Sequence, residues 1–360
     1  MKPLSNPYRE KPATSFWRKS VAGLSVNELD PLISVPFKIG RSDKIATAGS
    51  CFAQHIARTL QSSGYEYLIT EQKPESAGAV DQNYGTFSAR FGNIYTIRQM
   101  LQLIQRAYGV YRPKAPIWYN KEGRLIDPFR PAIQDGGFET IEALEDDRRC
   151  HLAAVRRMFE DCSVFIFTLG LTEGWISSVD GTVFPLAPGS VASTADSDDY
   201  SFHNFNVAEM TSDLNRFIDL LRSVNSTVKI ILTVSPVPLV ATFEDRHVLV
   251  SNTYSKSALR VVADDISKFN AAVAYFPSFE IIMSPNAKFE FFADDLREVI
   301  PSGIDNVMRI FKNHFLVEEA APASVRTSLS NEVVKAEAQR LSKLQGVICD
   351  EELLDPRAQY

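Results

Sequence analysis

The stretch Gly49-Ser50-Cys51 places two nucleophile-bearing side chains next to each other, where the apolar run Ile45–Ala48 gives way to helical spacing. A hydroxyl at a strand-to-helix turn lies beside the first backbone N–H groups of the helix, which are unpaired within it and carry partial positive charge. Such N–H groups can hold an oxyanion, so Ser50 is a candidate nucleophile. The same position also suits a plain N-cap, in which the serine oxygen accepts from an early helical N–H. Cys51 is equally two-sided: a helix N-terminus lowers a thiol pKa, yet a cysteine beside Phe52 reads as a small buried apolar group. Further along, Glu173 follows a buried apolar run and is either a helix-start charge or a substrate contact. Lys256 and Arg260 are four residues apart and share a helix face, either solvated or able to bind an anion. Trp175 is a rim aromatic or a platform for a sugar ring.

The elements that must position these residues follow from hydrophobic period. Lys44–Ala48 reads as a short strand, and Phe52, Ile56 and Leu60, with Ala53 and Ala57, predict an amphipathic helix over 52–62. Gly64 ends it, and 65–70 reads as a second strand. Helices are expected over 94–108 and 138–159, with a buried strand at 163–170, a continuous apolar run closed by glycine. The alternation repeats: a helix at 207–223, a strand at 228–236 stopped by Pro236, a helix at 254–272, two short apolar runs at 272–276 and 280–283, one of which should be the last core strand, and a closing helix at 304–315. This βαβα order implies a mostly parallel sheet with helices on both faces, because parallel neighbours need long crossovers. Ligands of such sheets bind beyond the carboxyl ends of the strands. The stretches at Ala48–Ser50, Thr168–Trp175 and Thr233–Pro238 are all strand ends and would meet in one crevice.

Three segments lie outside that pattern. Residues 1–40 read as an extended N-terminal arm packed on a core domain of residues 41–316. Residues 177–206, rich in Ser, Asp, Gly and Pro, are too long for an ordinary connection and form a candidate lid loop. Residues 317–360 carry mixed charge and a helical pattern at 331–344, which suggests a helical appendage.

Composition narrows the partners. A 360-residue chain with 45% hydrophobic residues can bury a substantial core. Its formal net charge of −6 argues against a broad nucleic-acid surface. There is no stretch of about 18 apolar residues and no apolar core near the start, so membrane insertion and secretion are not expected and a cytoplasmic location is. Cys51, Cys150, Cys162 and Cys349 are widely separated, which suggests reduced thiols rather than a zinc site or a disulfide framework. No metal-ligand spacing and no glycine-rich phosphate loop are present, so no cofactor is expected.

The stretch AGSCFAQHIA, from Ala48, resembles the signature of the GSCFA family. Other stretches resemble that family in the same order: NPYREKPATSFWRKS, FGNIYTIRQMLQL, TLGLTEGW, FHNF, TVSPVPL, TYSKSALR and YFPSFEI, together spanning roughly residues 6–315. The family resembles a divergent branch of the SGNH, or GDSL-like, hydrolases and acyltransferases, which implies a three-layer α/β/α sandwich. Carried over by motif, the resemblance implies Ser50 as nucleophile with its own N–H in the oxyanion hole. It also implies Gly92 and Asn93 as the second block, with a glycine N–H as donor, and Gly170, Leu171, Thr172 and Glu173 as the third. Thr172 replaces the asparagine usual there, a departure that Asn93 could repair.

The last block departs further. Where the superfamily has Asp-x-x-His, this chain has Asp295 and then Glu298. A carboxylate is a poorer acceptor of a serine proton at neutral pH than imidazole, although a neighbouring carboxylate can raise its pKa. Among the five histidines, His203 in the lid segment is the best substitute base. His55 should point away along its helix, His247 is a weaker candidate, and His151 and His314 read as surface or packing residues. Two main functions follow from the resemblance: a serine esterase or O-acyltransferase acting on an O-acyl ester of a small molecule or glycan, with an acyl donor such as acyl-CoA as a possible substrate, or a non-catalytic ligand-binding relative. Thiol chemistry at Cys51 is a third, less favoured reading.

Overall fold

The structure is a computed structural model that describes residues 6–73, 83–114, 117–190, 192, 199–317 and 349–355. In chain order its elements are a short α1 (Trp17–Ser20), β1 (Ile45–Gly49), α2 (Ala53–Ser62), α3 (Ile97–Ala107), β2 (Trp118–Tyr119), β3 (Leu125–Ile126), α4 (Ile141–Asp161), β4 (Val164–Leu169), β5 (Glu173–Ser177), β6 (Val183–Phe184), β7 (Tyr200–Asn204), α5 (Val207–Val224), β8 (Lys229–Val234), α6 (Val248–Lys268), β9 (Val273–Phe276), α7 (Ser278–Ile282) and α8 (Pro301–Phe315).

Four parallel strands, ordered β1-β4-β8-β9, form the central sheet. Successive side chains of a strand face opposite ways, and here both faces are apolar. Ala46, Ala48, Phe165, Phe167, Leu169, Ile230 and Leu232 pack against α3, α4, α5 and α6. Ile45, Val164, Ile166, Ile231, Ala274 and Phe276 pack against α2, α7 and α8. The molecule is therefore a three-layer α/β/α sandwich, and the N-terminal arm lays Val26, Leu32, Val35 and Phe37 on the second layer. Side chains set the helix starts: capping boxes at Thr96/Gln99 and Asn206/Glu209, and a Thr140 cap on α4.

Several expectations need correction. Residues 65–70 do not form a strand: only Tyr67 bridges Ile45, after which the chain turns away so that the Thr70 N–H reaches the Ser88 carbonyl. Of the two short apolar runs, 272–276 supplies the last core strand, β9, as expected, while 280–283 falls largely in α7, where the chain coils after Pro277 to bury Ile281 and Ile282 on the α8 side. The 177–206 segment is only partly loop: β6 and β7 pair antiparallel with β5 in a separate small sheet. The helix read at 331–344 lies outside the described residues. Among the described residues, no helix is long and apolar enough to cross a membrane.

At the end of β1, Gly49 faces Thr168 of β4 with φ +137, and a Cβ there would collide with the Thr168 carbonyl. Gly49→Ala should therefore destabilise the fold through both overlap and backbone strain, by about 3 kcal/mol or more. Urea unfolding followed by tryptophan fluorescence would measure it, and a cost under about 1 kcal/mol would contradict the packing described.

Candidate active site

The crevice opens at the carboxyl ends of β1 and β4. Residues 93–95 stitch these ends together: the Ile94 N–H donates to the Gly49 carbonyl at 2.8 Å, and the Gly170 and Leu171 N–H groups both donate to the Tyr95 carbonyl. Ser50 sits in this seam, with its Cβ against Gly170. Its Oγ is buried and makes no hydrogen bond among the described residues. The Ser50 side chain is thus not a helix cap, since α2 begins at Ala53 after two turns held by backbone bonds alone. The implied oxyanion role of the Ser50 N–H is also corrected: that N–H is spent on the Thr168 carbonyl at 3.1 Å, because the strands approach so closely. The N–H groups of Cys51 and Phe52 have no acceptor among the described residues.

Charge has been buried around this serine. Lys256, read from sequence as half of a possible solvated face, is buried and donates from Nζ to the Gly170 carbonyl at 2.7 Å. Burial, opposed by nearby Glu351, lowers its pKa to about 8. Arg260, one helical turn on, instead faces outward to Glu280 and Asp264. The third group comes from the far end of the chain. Residues 349–355, expected to belong to a helical appendage, form a short 3-10 turn docked in the crevice. Asp350 is buried and accepts from Asn93 Nδ2 at 2.9 Å and from the Asn93 backbone N–H. Glu351 is buried, its N–H donates to the Tyr95 hydroxyl at 3.1 Å, and its carboxylate meets Arg297 at 3.3 Å. Burial first, and then Cys349, push the Glu351 pKa up to about 7. Cys349 accepts from Arg297 Nη2 at 3.3 Å and lies near enough to Cys51 for each thiol to shift the other's ionisation. Cys51 itself is raised well above a free thiol by Cys349 and by burial. A thiol so disfavoured as a thiolate is a poor first nucleophile at neutral pH.

The other residues named from sequence fall in two groups. Gly92 (φ +70) and Asn93 lie in the seam, as does Gly170, whose carbonyl holds Lys256. Thr172 is buried there with its hydroxyl unpartnered, and its N–H donates to Ser255. The rest point elsewhere. Glu173 accepts from the Thr242 hydroxyl and the Phe243 N–H, so it tethers that loop. Asp295 is exposed and accepts from the N–H groups of Arg297 and Glu298, closing a tight turn that leaves Glu298 exposed. Neither carboxylate faces Ser50; the residue between them, Arg297, does the reaching. His203 is on β7, opposite Gly174, with Nε2 held by Glu209 at 2.8 Å, so it is not the base for Ser50. His55 is held neutral, its pKa lowered to about 4 by burial. Sequence reasoning missed Tyr95, Arg297, Cys349, Asp350 and Glu351. Tyr95 and Arg297 had a signal, each lying inside one of the motif blocks.

The docked turn is a shared wall. Leu353 and Leu354 border a groove of about 930 Å³ with Pro131, Ala132 and residues 134–137. Glu351 and Leu354 border one of about 400 Å³ lined by Trp175, Phe202 and Phe243, whose rings contact one another. Among the described residues, no group of His, Cys, Asp and Glu side chains could hold a metal ion.

Comparison with known proteins matches residues 44–311 to the GSCFA family. No curated protein matches the chain. Two solved structures resemble it: an acetyl esterase serine-to-alanine mutant crystallised with acetate ion, at 9% identity and a TM-score of 0.33, and a carbohydrate esterase family 3 protein from Talaromyces cellulolyticus, at 11% identity and a TM-score of 0.27. Each alignment covers 75% of this chain and 95% of the other.

The buried acid gives stability a defined pH dependence. Glu351 has a folded pKa of about 7 against an ordinary 4.5, so between those values the folded chain keeps a proton that the unfolded chain has lost. Stability should therefore fall as pH rises through that window, by on the order of 1–3 kcal/mol. Urea unfolding at pH 5 and pH 7.5 should show the fall in the wild type and a flatter profile in Glu351→Gln; equal slopes would remove Glu351 as its source.

Proposed function

We propose, on the premise that this chain belongs to the GSCFA family, that it is a serine-dependent ester hydrolase or O-acyltransferase with Ser50 as nucleophile and Lys256 as its base. The observation that carries the reading is the pairing of a buried, unpartnered Ser50 Oγ with a buried lysine, both against Gly170. An ammonium whose pKa falls to about 8 is neutral in a useful fraction of molecules near neutral pH, and a neutral amine accepts a serine proton. Serine–lysine pairs are a known variant of nucleophile activation. In the proposed reaction the Ser50 proton passes to Lys256 Nζ as Oγ bonds the acyl carbon. The same proton then leaves with the departing alcohol, and water or an acceptor hydroxyl resolves the acyl-serine.

Oxyanion stabilisation in this reading comes from the side-chain and backbone N–H groups of Asn93, with the Cys51 and Phe52 N–H groups nearby. Asp350 now presents a carboxylate to Asn93, where a tetrahedral oxyanion would be received. The aromatic groove at Trp175, Phe202 and Phe243 supports an acyl chain or a sugar ring as the neighbouring part of the substrate, and hence a glycan or small-molecule ester. A second reading, a ligand-binding relative without catalysis, is favoured by two observations: among the described residues no histidine hydrogen-bonds Ser50 Oγ, and Glu298 is exposed.

A fluorophosphonate probe with peptide mass spectrometry separates the two. Under reducing conditions the wild type should label at Ser50, with a rate that rises with pH until about 8 as Lys256 loses its proton. Lys256→Met should label on the order of 10²-fold more slowly or worse and lose the pH dependence, and Ser50→Ala should not label. Absence of Ser50 labelling at every pH would favour the binding reading.

A further inference from the structure

The crevice is closed by the chain's own residues 349–354, and the contact that closes it includes two thiols. Cys51 follows the proposed nucleophile directly, and Cys349 begins the turn that docks on Asn93 and Tyr95, near enough to Cys51 for the two thiols to perturb each other although nearly the whole chain separates them. Arg297 holds the Cys349 sulfur at 3.3 Å and the Glu351 carboxylate at the same distance, so one guanidinium fixes the turn on both sides of Asp350. Asp350 engages Asn93, and Glu351 engages Tyr95. Cys51 is buried and Cys349 is partly exposed, so a solution reagent meets Cys349 first.

We propose that Cys51 and Cys349 are a dithiol–disulfide site, oxidised by a low-molecular-weight disulfide, and that the bond formed fastens residues 349–354 over Ser50. The blocking of catalysis rests on the reading of Ser50 as nucleophile; the disulfide itself does not. In the first step the Cys349 thiolate attacks one sulfur of the disulfide reagent. A Cys349 mixed disulfide forms, the reagent's own S–S bond breaks, and one small thiolate leaves and takes up a proton. In the second step Cys51 gives up its proton and attacks Cys349 Sγ, breaking the mixed disulfide and releasing the second small thiol. Two protein thiols are oxidised and one reagent disulfide is reduced to two thiols.

The electrostatics fit this order. The hydrogen bond from Cys51, followed by Arg297, draws the Cys349 pKa down to about 6, which makes it a thiolate at neutral pH. Cys51, raised well above the ordinary thiol value, is a slow first attacker but lies close to the sulfur it must reach. In the reduced protein the turn is held only by non-covalent contacts and can leave. Its departure would free the Asn93 donors and remove the wall between the grooves. In the oxidised protein departure is prevented.

The test is to treat the full-length reduced protein with oxidised glutathione, quench with an alkylating reagent, and compare wild type with Cys349→Ser. Expected is a Cys51–Cys349 linked peptide, lighter by two hydrogens than the two reduced peptides together, with buried Cys162 still alkylatable after unfolding. Exposed Cys150 reports simple glutathione attachment. Amide hydrogen exchange across 350–354 should slow by about tenfold or more on oxidation. Ser50 labelling by the fluorophosphonate should fall by about tenfold or more and return with dithiothreitol, whereas Cys349→Ser should label equally under both conditions. Glutathione on Cys349 without the internal link would overturn the proposal, as would a link that leaves both exchange and labelling unchanged. If Ser50 fails to label even when reduced, the acyl-ester reading falls, and the linked peptide and slowed exchange decide this inference by themselves.

Discussion

β1 and β4 run so close at their carboxyl ends that the Ser50 N–H bonds the Thr168 carbonyl, and the residue before it can carry no side chain. Much of the site follows from that contact. It turns the chain sharply at Gly49, presses Ser50 against Gly170, and starts α2 three residues later without a side-chain cap. It also consumes the N–H that an oxyanion would otherwise use, and it leaves the serine oxygen buried without a partner. A buried hydroxyl with no hydrogen bond is costly, and proteins retain such groups chiefly where chemistry or a ligand uses them.

The second constraint is electrostatic. Lys256 comes from α6 and is buried, and Arg297 comes from the loop before α8 and is largely buried. Two buried cations need compensating anions, since an unpaired buried charge is far more costly than a paired one. Glu351 and the Cys349 sulfur supply them, and both arrive on a seven-residue segment that has little apolar surface of its own beyond Leu353 and Leu354. The segment docks through charge and hydrogen bonds, so the pKa of each member depends on the others: the base of the proposed reaction, the acid beside it and the thiolate titrate as a group.

The layered fold was legible because it depends on local pattern. Runs such as Val164–Leu169 and Lys229–Val234 are apolar on both faces, which only a sheet covered on both sides accommodates. Where the pattern was short it misled. Residues 272–276 and 280–283 could not be told apart by pattern, and only the first is a strand because the second coils after Pro277; 65–70 has the residues of a strand but keeps a single bridge because its continuation is drawn toward Ser88. The strand-end motifs at Ser50, Asn93 and Gly170 were found because each lies inside a recognisable block. Asp295 and Glu298 lie in such a block too, yet their turn faces them outward and sends Arg297 in.

By itself, then, the sequence determined the βαβ alternation, the parallel sheet, the crevice at its carboxyl edge and the serine placed there, since all of these follow from hydrophobic period and from glycine at a tight turn. What only the tertiary structure decided is which charges surround that serine. Lys256 has the same spacing on its helix whether that face is solvated or buried, and nothing in Cys349-Asp350-Glu351 marks it as a partner for residues some 300 positions earlier. Burial, and the approach of distant segments, set both the basicity of Lys256 and the pairing of the two thiols. These are properties of the environment a side chain is folded into, which its neighbours along the chain do not encode.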